Sequence, residues 1–160
     1  MRKALILPIA LIFVSLVAAP APASVRVALS EQSARMFGDA NWQSLKLKRV
    51  RYIVSWDYAK HPSEVSETAT FMNAAHAASQ EVLVTFSAPR GCFANNRYSK
   101  ASACKAPGAA AYRSAVRGFR KSYPFAKTFA PWNEVNHVSQ PTYRKPALAV
   151  RYYNALRAVC

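Results

Sequence analysis

Short runs of β-branched and aromatic residues alternate with stretches of helical apolar spacing, and this alternation restricts the fold more than anything else in the chain. Val-Arg-Tyr-Ile-Val-Ser-Trp at 50–56 has the composition of a strand. Residues 82–86 are almost unbroken in apolar character, as in a strand covered on both faces within a parallel sheet. Residues 127–132 form a third such run, and 25–29 a shorter one that comes first. Helical patterns fill the gaps. One covers 33–45. A second is opened by Pro62 and Ser63 and extends to 79, with Val65, Ala69, Met72, His76 and Ser79 along one face. His76 therefore reads as a core residue. A third covers 108–123, with Tyr112, Val116, Phe119 and Tyr123 in line and Pro124 as its stop. A fourth starts at Ala147, with Leu148, Tyr152, Ala155 and Val159 on one side. Strands alternating with helices predict an α/β fold: parallel βα repeats joined by right-handed crossovers.

Residues 1–23 read as a secretory signal peptide: a basic Met1-Arg2-Lys3, an apolar run, and Ala21-Pro22-Ala23 before Ser24. The apolar run holds Pro8 and spans about sixteen residues, short of the roughly 20 of a membrane-spanning helix. The expectation is a secreted, extracellular domain over 24–160 with no membrane attachment after cleavage. Its 160 − 23 = 137 residues divide into four βα units of about thirty-four residues (137/4). An eight-unit barrel needs about 250 residues. The four units therefore match the first half of a (β/α)8 TIM barrel, a half barrel, with a small doubly wound domain as the alternative. Such a half barrel predicts self-association through its open edges.

Cys92 and Cys104 are twelve residues apart in the polar stretch 87–107, and export favours a disulfide between them. Cys160 is left over. The formal charge is +15, and without Arg2 and Lys3 the balance is 20 basic residues against 7 acidic ones, or +13. Such an excess favours polyanionic partners, acidic glycans and wall polymers among them. Arg113, Arg117, Arg120 and Lys121 share the outer side of one helix, while the other basic residues are scattered. With no RNP-type, zinc-finger or helix-turn-helix pattern, they read as a solvated surface rather than a nucleic-acid site. There is no H-E-x-x-H or C-x-x-C spacing, no G-x-S-x-G elbow and no phosphate loop, so no metal or cofactor is expected.

Function in α/β folds gathers at the carboxyl ends of the strands. Of the seven acids, Glu31, Asp57 and Glu134 follow strands, while Asp39, Glu64 and Glu67 fall on helical segments and Glu81 enters a strand from the other rim. Trp56 precedes Asp57, and Trp132 with Asn133 precedes Glu134. Indole rings beside carboxylates suit sugars, whose apolar ring faces stack on aromatic planes. A shielded carboxylic acid there suits proton donation to a glycosidic oxygen. His137, three residues on, stands within reach of the same rim.

At Pro131-Trp132-Asn133-Glu134-Val135-Asn136-His137 the chain resembles the clan A glycoside hydrolases, in their cellulase-like secreted bacterial branch. The strand-like 51–57 and 82–86, and Tyr123-Pro124 ahead of the fourth strand, agree in order and place. The resemblance covers about 25–160. It implies a (β/α)8 barrel, Glu134 as catalytic acid/base, and Asn133 as the amide on the sugar 2-hydroxyl. Substrate contacts from Trp132, His137, Trp56 and Asp57 complete the expected site. The family's nucleophile, a second Glu ending strand seven, has no counterpart here. The expected function is retaining hydrolysis of a polysaccharide or cell-wall glycan, with this chain inactive alone. A non-catalytic cationic protein holding an acidic glycan or wall polymer is the second reading.

Overall fold

The computed structural model describes residues 25–160, so the leader read at 1–23 lies outside the described residues. The fold is α/β. β1 (Leu29–Ser30), β2 (Arg49–Ser55), β3 (Glu81–Ser87) and β6 (Thr128–Ala130) form one parallel sheet in the order β1-β2-β3-β6. Within this sheet each strand lies beside the sheet strand before it in sequence, an order that a βα repeat and part of a Rossmann-like sheet share. The register runs from Leu29↔Val50 through Val50↔Val82 to Val84↔Phe129. The expected first strand, 25–29, contracts to two residues at Leu29–Ser30, and the last, 127–132, to Thr128–Ala130. β4 (Phe93–Ala94) and β5 (Arg97–Tyr98) make a small antiparallel hairpin inside the stretch 87–107. Its two-residue turn is Asn95-Asn96, both at positive φ, as tight hairpin turns require. The Cys92–Cys104 disulfide, with Cα atoms 5.5 Å apart, ties this excursion down, and Cys160 is an exposed free thiol.

The helices cover one face of the sheet. α2 (Pro62–Ala77) lies on it through Phe71, stacked on Tyr52 of β2 at 4.3 Å, and through Thr68, whose hydroxyl meets that of Tyr52 at 3.2 Å. α3 (Ala109–Ser122) brings Tyr112 and Phe119 edge-on to Phe86 of β3, and Phe119 also reaches Phe129 of β6. α4 (Pro146–Arg157) packs beside α3, with Tyr152 against Tyr112. The short α1 (Ala40–Leu45) adds Trp42 against Phe37, which in turn meets Phe71. Alternation along β2 and β3 sends Arg51, Ile53, Leu83 and Thr85 to the other face, where Ile53 and Leu83 stay half-buried and Thr85 is buried against Arg51.

Three expectations need correction. The helical stretch 33–45 is broken at Asp39: a 3₁₀ turn, Ala34–Gly38, comes first. The Asp39 carboxylate then caps α1 by accepting from Asn41 N (2.8 Å) and Trp42 N (3.2 Å). The buried face of α2 is Glu64, Thr68, Phe71, Met72 and Ala75, and Val65 lies off it, 38% exposed. His76 is likewise exposed rather than in the core, its ring stacked on Phe125 at 4.2 Å. Tyr112, Val116, Phe119 and Tyr123 are buried as their spacing predicts. Among the described residues no helix is long and apolar enough to cross a membrane.

Candidate functional site

The chain leaving β6 is fixed at several points before it reaches Glu134. The Tyr112 hydroxyl donates to Pro131 O. Trp132 is buried, stacked on Tyr152 at 4.5 Å, and its Nε1–H donates to Gln140 Oε1 at 3.0 Å. Its ring is thereby committed to the core beneath the rim and does not present a free face to a ligand. Asn133 N donates to Phe86 O at the end of β3 (2.7 Å). On the face away from the helices, Arg51 spans the sheet: Nε donates to Thr85 Oγ1 at 3.1 Å and Nη2 to Asn133 Oδ1 at 2.5 Å. A guanidinium only donates, so the Asn133 oxygen must face Arg51. Its Nδ2 donors are left for another acceptor.

Glu134 is exposed and takes no part in an ion pair among the described residues. Its backbone is left-handed, φ 42°, and it opens a turn in which His137 N donates to Glu134 O at 2.8 Å. A non-glycine residue in that region costs roughly 1–2 kcal/mol. His137 is exposed, with Nδ1 2.8 Å from Ser139 Oγ and its ring edge-on to Phe93 of the hairpin at 6.3 Å. The disulfide-tied excursion and the loop after β6 therefore touch at His137.

A second cluster stands at the end of β2. Trp56 N donates to Ser87 O at 2.9 Å, next to the carbonyl that holds Asn133, so both clusters are anchored on the end of β3. The Trp56 ring carries Lys60 Nζ at 4.9 Å from its centroid. Asp57 is 8% exposed; its Oδ2 lies 3.3 Å from His61 Nε2, and Oδ1 has no partner. Burial, and then the charge of Asp57, push the Tyr98 hydroxyl up to about 12, and burial above all takes Tyr58 to about 12. Both phenols thus stay protonated through the neutral range. Trp56, Asp57, Tyr58 and Lys60 face Ser114 and Phe119 of α3 across a cleft of about 400 Å³, which Asn133, Glu134 and His137 do not line.

The third rim acid, Glu31, is spent locally. Its Oε1 accepts from Gln32 N (2.7 Å) and Ser33 N (3.0 Å), and these bonds hold its carboxyl below the usual carboxylate range. Residue-type reasoning passed over Arg51, Thr85 and Gln140. Arg51 had a visible signal, a cation alternating with the apolar Val50 and Tyr52 within a strand. Gln140 had none, because its partners, Trp132 Nε1 and Ala88 N, meet only in the folded chain. No three His, Cys, Asp or Glu residues are grouped to hold a metal ion among the described residues. No family model, no curated protein and no solved structure matches this chain.

Proposed function

We propose that this rim is the acid half of a secreted glycosidase site, carried on the first four units of a (β/α)8 barrel. The observation that carries the reading is the Arg51–Asn133 bond, which orients an amide next to an exposed carboxylate at the carboxyl end of a parallel strand. In this reading Asn133 donates from Nδ2 to a sugar hydroxyl, while Glu134 protonates the glycosidic oxygen and then deprotonates water. The strand order, which follows the sequence, and the placement of every helix on one face support the barrel geometry. Retaining hydrolysis needs a second carboxyl about 5–5.5 Å from the first. Glu31 is engaged with its own backbone and Asp57 with His61, so the second carboxylate comes from outside the described residues.

The test is Glu134→Gln assayed with the other half of the barrel supplied, by a longer gene product or a complementing fragment. The amide keeps the shape of the side chain but cannot shuttle a proton, so turnover of glycosides with poor leaving groups should fall by about 10²–10⁴-fold. Activated aryl glycosides should lose much less in their first step. Equal hydrolysis of both substrates by variant and parent would remove the proposal. Glycan binding that Asn133→Ala weakens, without turnover by the parent protein, would establish the non-catalytic reading instead.

A further inference from the structure

The positive charge is confined to one half of the chain. Residues 24–81 hold seven Lys and Arg against six Asp and Glu, whereas residues 82–160 hold thirteen against Glu134 alone. The second half therefore supplies +12 of the +13 remaining beyond the leader. α3 and α4 contain no acidic residue at all. Between them runs a groove of about 380 Å³ lined by Ala109, Arg113, Ala147, Val150, Arg151 and Asn154. Arg113 Nε is withdrawn from solvent there without a hydrogen-bond partner. Arg117, Arg120 and Lys121 on α3 and Arg157 on α4 are exposed, and none of these cations forms an ion pair among the described residues.

We propose that the α3–α4 face binds a carboxylate-bearing polysaccharide, with one carboxylate seated between Arg113 and Arg151. A guanidinium matches a carboxylate with two parallel hydrogen bonds, and two of them suit one anionic group in a groove. Along α3 the cations at 113, 117 and 120–121 are spaced by about 5–6 Å, four residues at 1.5 Å rise. The large apolar side chains exposed on these two helices are Val150 and Tyr153 of α4, short of the continuous apolar face of a membrane-lying helix. The Cys92–Cys104 bridge suits an oxidising compartment, where acidic polysaccharides are available partners. This surface is independent of Glu134.

Binding of the leaderless protein to polygalacturonate, to a short DNA duplex and to vesicles with and without anionic phospholipid tests the proposal. Polygalacturonate should bind with a marked salt dependence, and more tightly than the duplex or either vesicle. Arg113→Gln/Arg151→Gln should weaken it about tenfold or more. Lys46→Gln/Lys48→Gln, which removes the same charge from the other half, should weaken it less than about threefold. Arg117→Gln/Arg120→Gln, on fully exposed positions, gives a second reading of the same face should the first pair lower the melting temperature. Absent polygalacturonate binding, equal losses from the two halves, or tighter binding of duplex or vesicles would overturn it.

Discussion

Arg51 does more for the rim than any acid in it. Its guanidinium joins three strands' worth of chain, from β2 across Thr85 of β3 to Asn133 beyond β6. Asn133 is thereby held through its side chain from one direction and through its N–H, on Phe86 O, from another. These two anchors set where Glu134 begins, and they oppose the cost of its left-handed backbone. Arg51→Met should leave Asn133 Oδ1 and Thr85 Oγ1 without a donor and lower stability by about 1–3 kcal/mol in urea unfolding. Arg51→Lys keeps the charge but loses the fork, and should fall between parent and Met. A Met variant as stable as the parent would show that the network positions nothing. The acids themselves were legible from their order along the chain, but their engagements were not. Asp57 with His61, and Glu31 with its own backbone, are local geometries that residue type does not specify.

Helix faces show where periodicity succeeds and where it slips. In α3 the apolar set is the buried set, because its neighbours are Arg, Lys, Ser and Gly and leave no second choice. In α2 the expected stripe, Val65, Ala69, Met72, His76 and Ser79, coincides with the buried face only at Met72. Two polar residues turn inward because each has a partner. Thr68 meets the Tyr52 hydroxyl, and the Glu64 carboxylate faces the charge of Arg90 at 3.7 Å, without a hydrogen bond to its buried Oε2. Apolar counting cannot score such positions, since their burial depends on partners distant in sequence. Truncation separates the two faces. Phe71→Ala should cost about 3–5 kcal/mol by emptying the stack on Tyr52, whereas Val65→Ala should stay within about 0.5 kcal/mol. Similar losses in denaturant midpoints would return the helix to the expected face. The break at Asp39 belongs to the same lesson: an aspartate inside a helical pattern marked a cap, and the pattern ran across it.

The whole molecule is one-sided. Helices fill one face of the sheet, while Ile53 and Leu83 stand half-buried on the other, and β1 and β6 each pair with one neighbour only. Val25, Val27, Leu29 and Leu45 add exposed apolar surface around β1. Open edges and uncovered apolar rows favour association. Residues 24–160 should therefore sediment as a dimer or larger species, increasingly so in salt that screens their charge of +13. A monodisperse monomer at all concentrations would show that the described residues need no cover. The parallel order was legible in the βα alternation, but the inner hairpin was not, because four paired residues around Asn95-Asn96 leave too short a trace.

Strand order that follows sequence order also bears on how the chain comes together. Leu29 finds Val50 twenty-one residues later, Val50 finds Val82 thirty-two later, and Val84 finds Phe129 forty-five later. No strand has to be held open for one that arrives later between two already paired. The longest ladder, all seven residues of β2 against all seven of β3, closes before β6 is reached. A chain threaded amino end first through a pore or from a ribosome could add each unit to a finished edge, so the order of emergence and the order of assembly coincide.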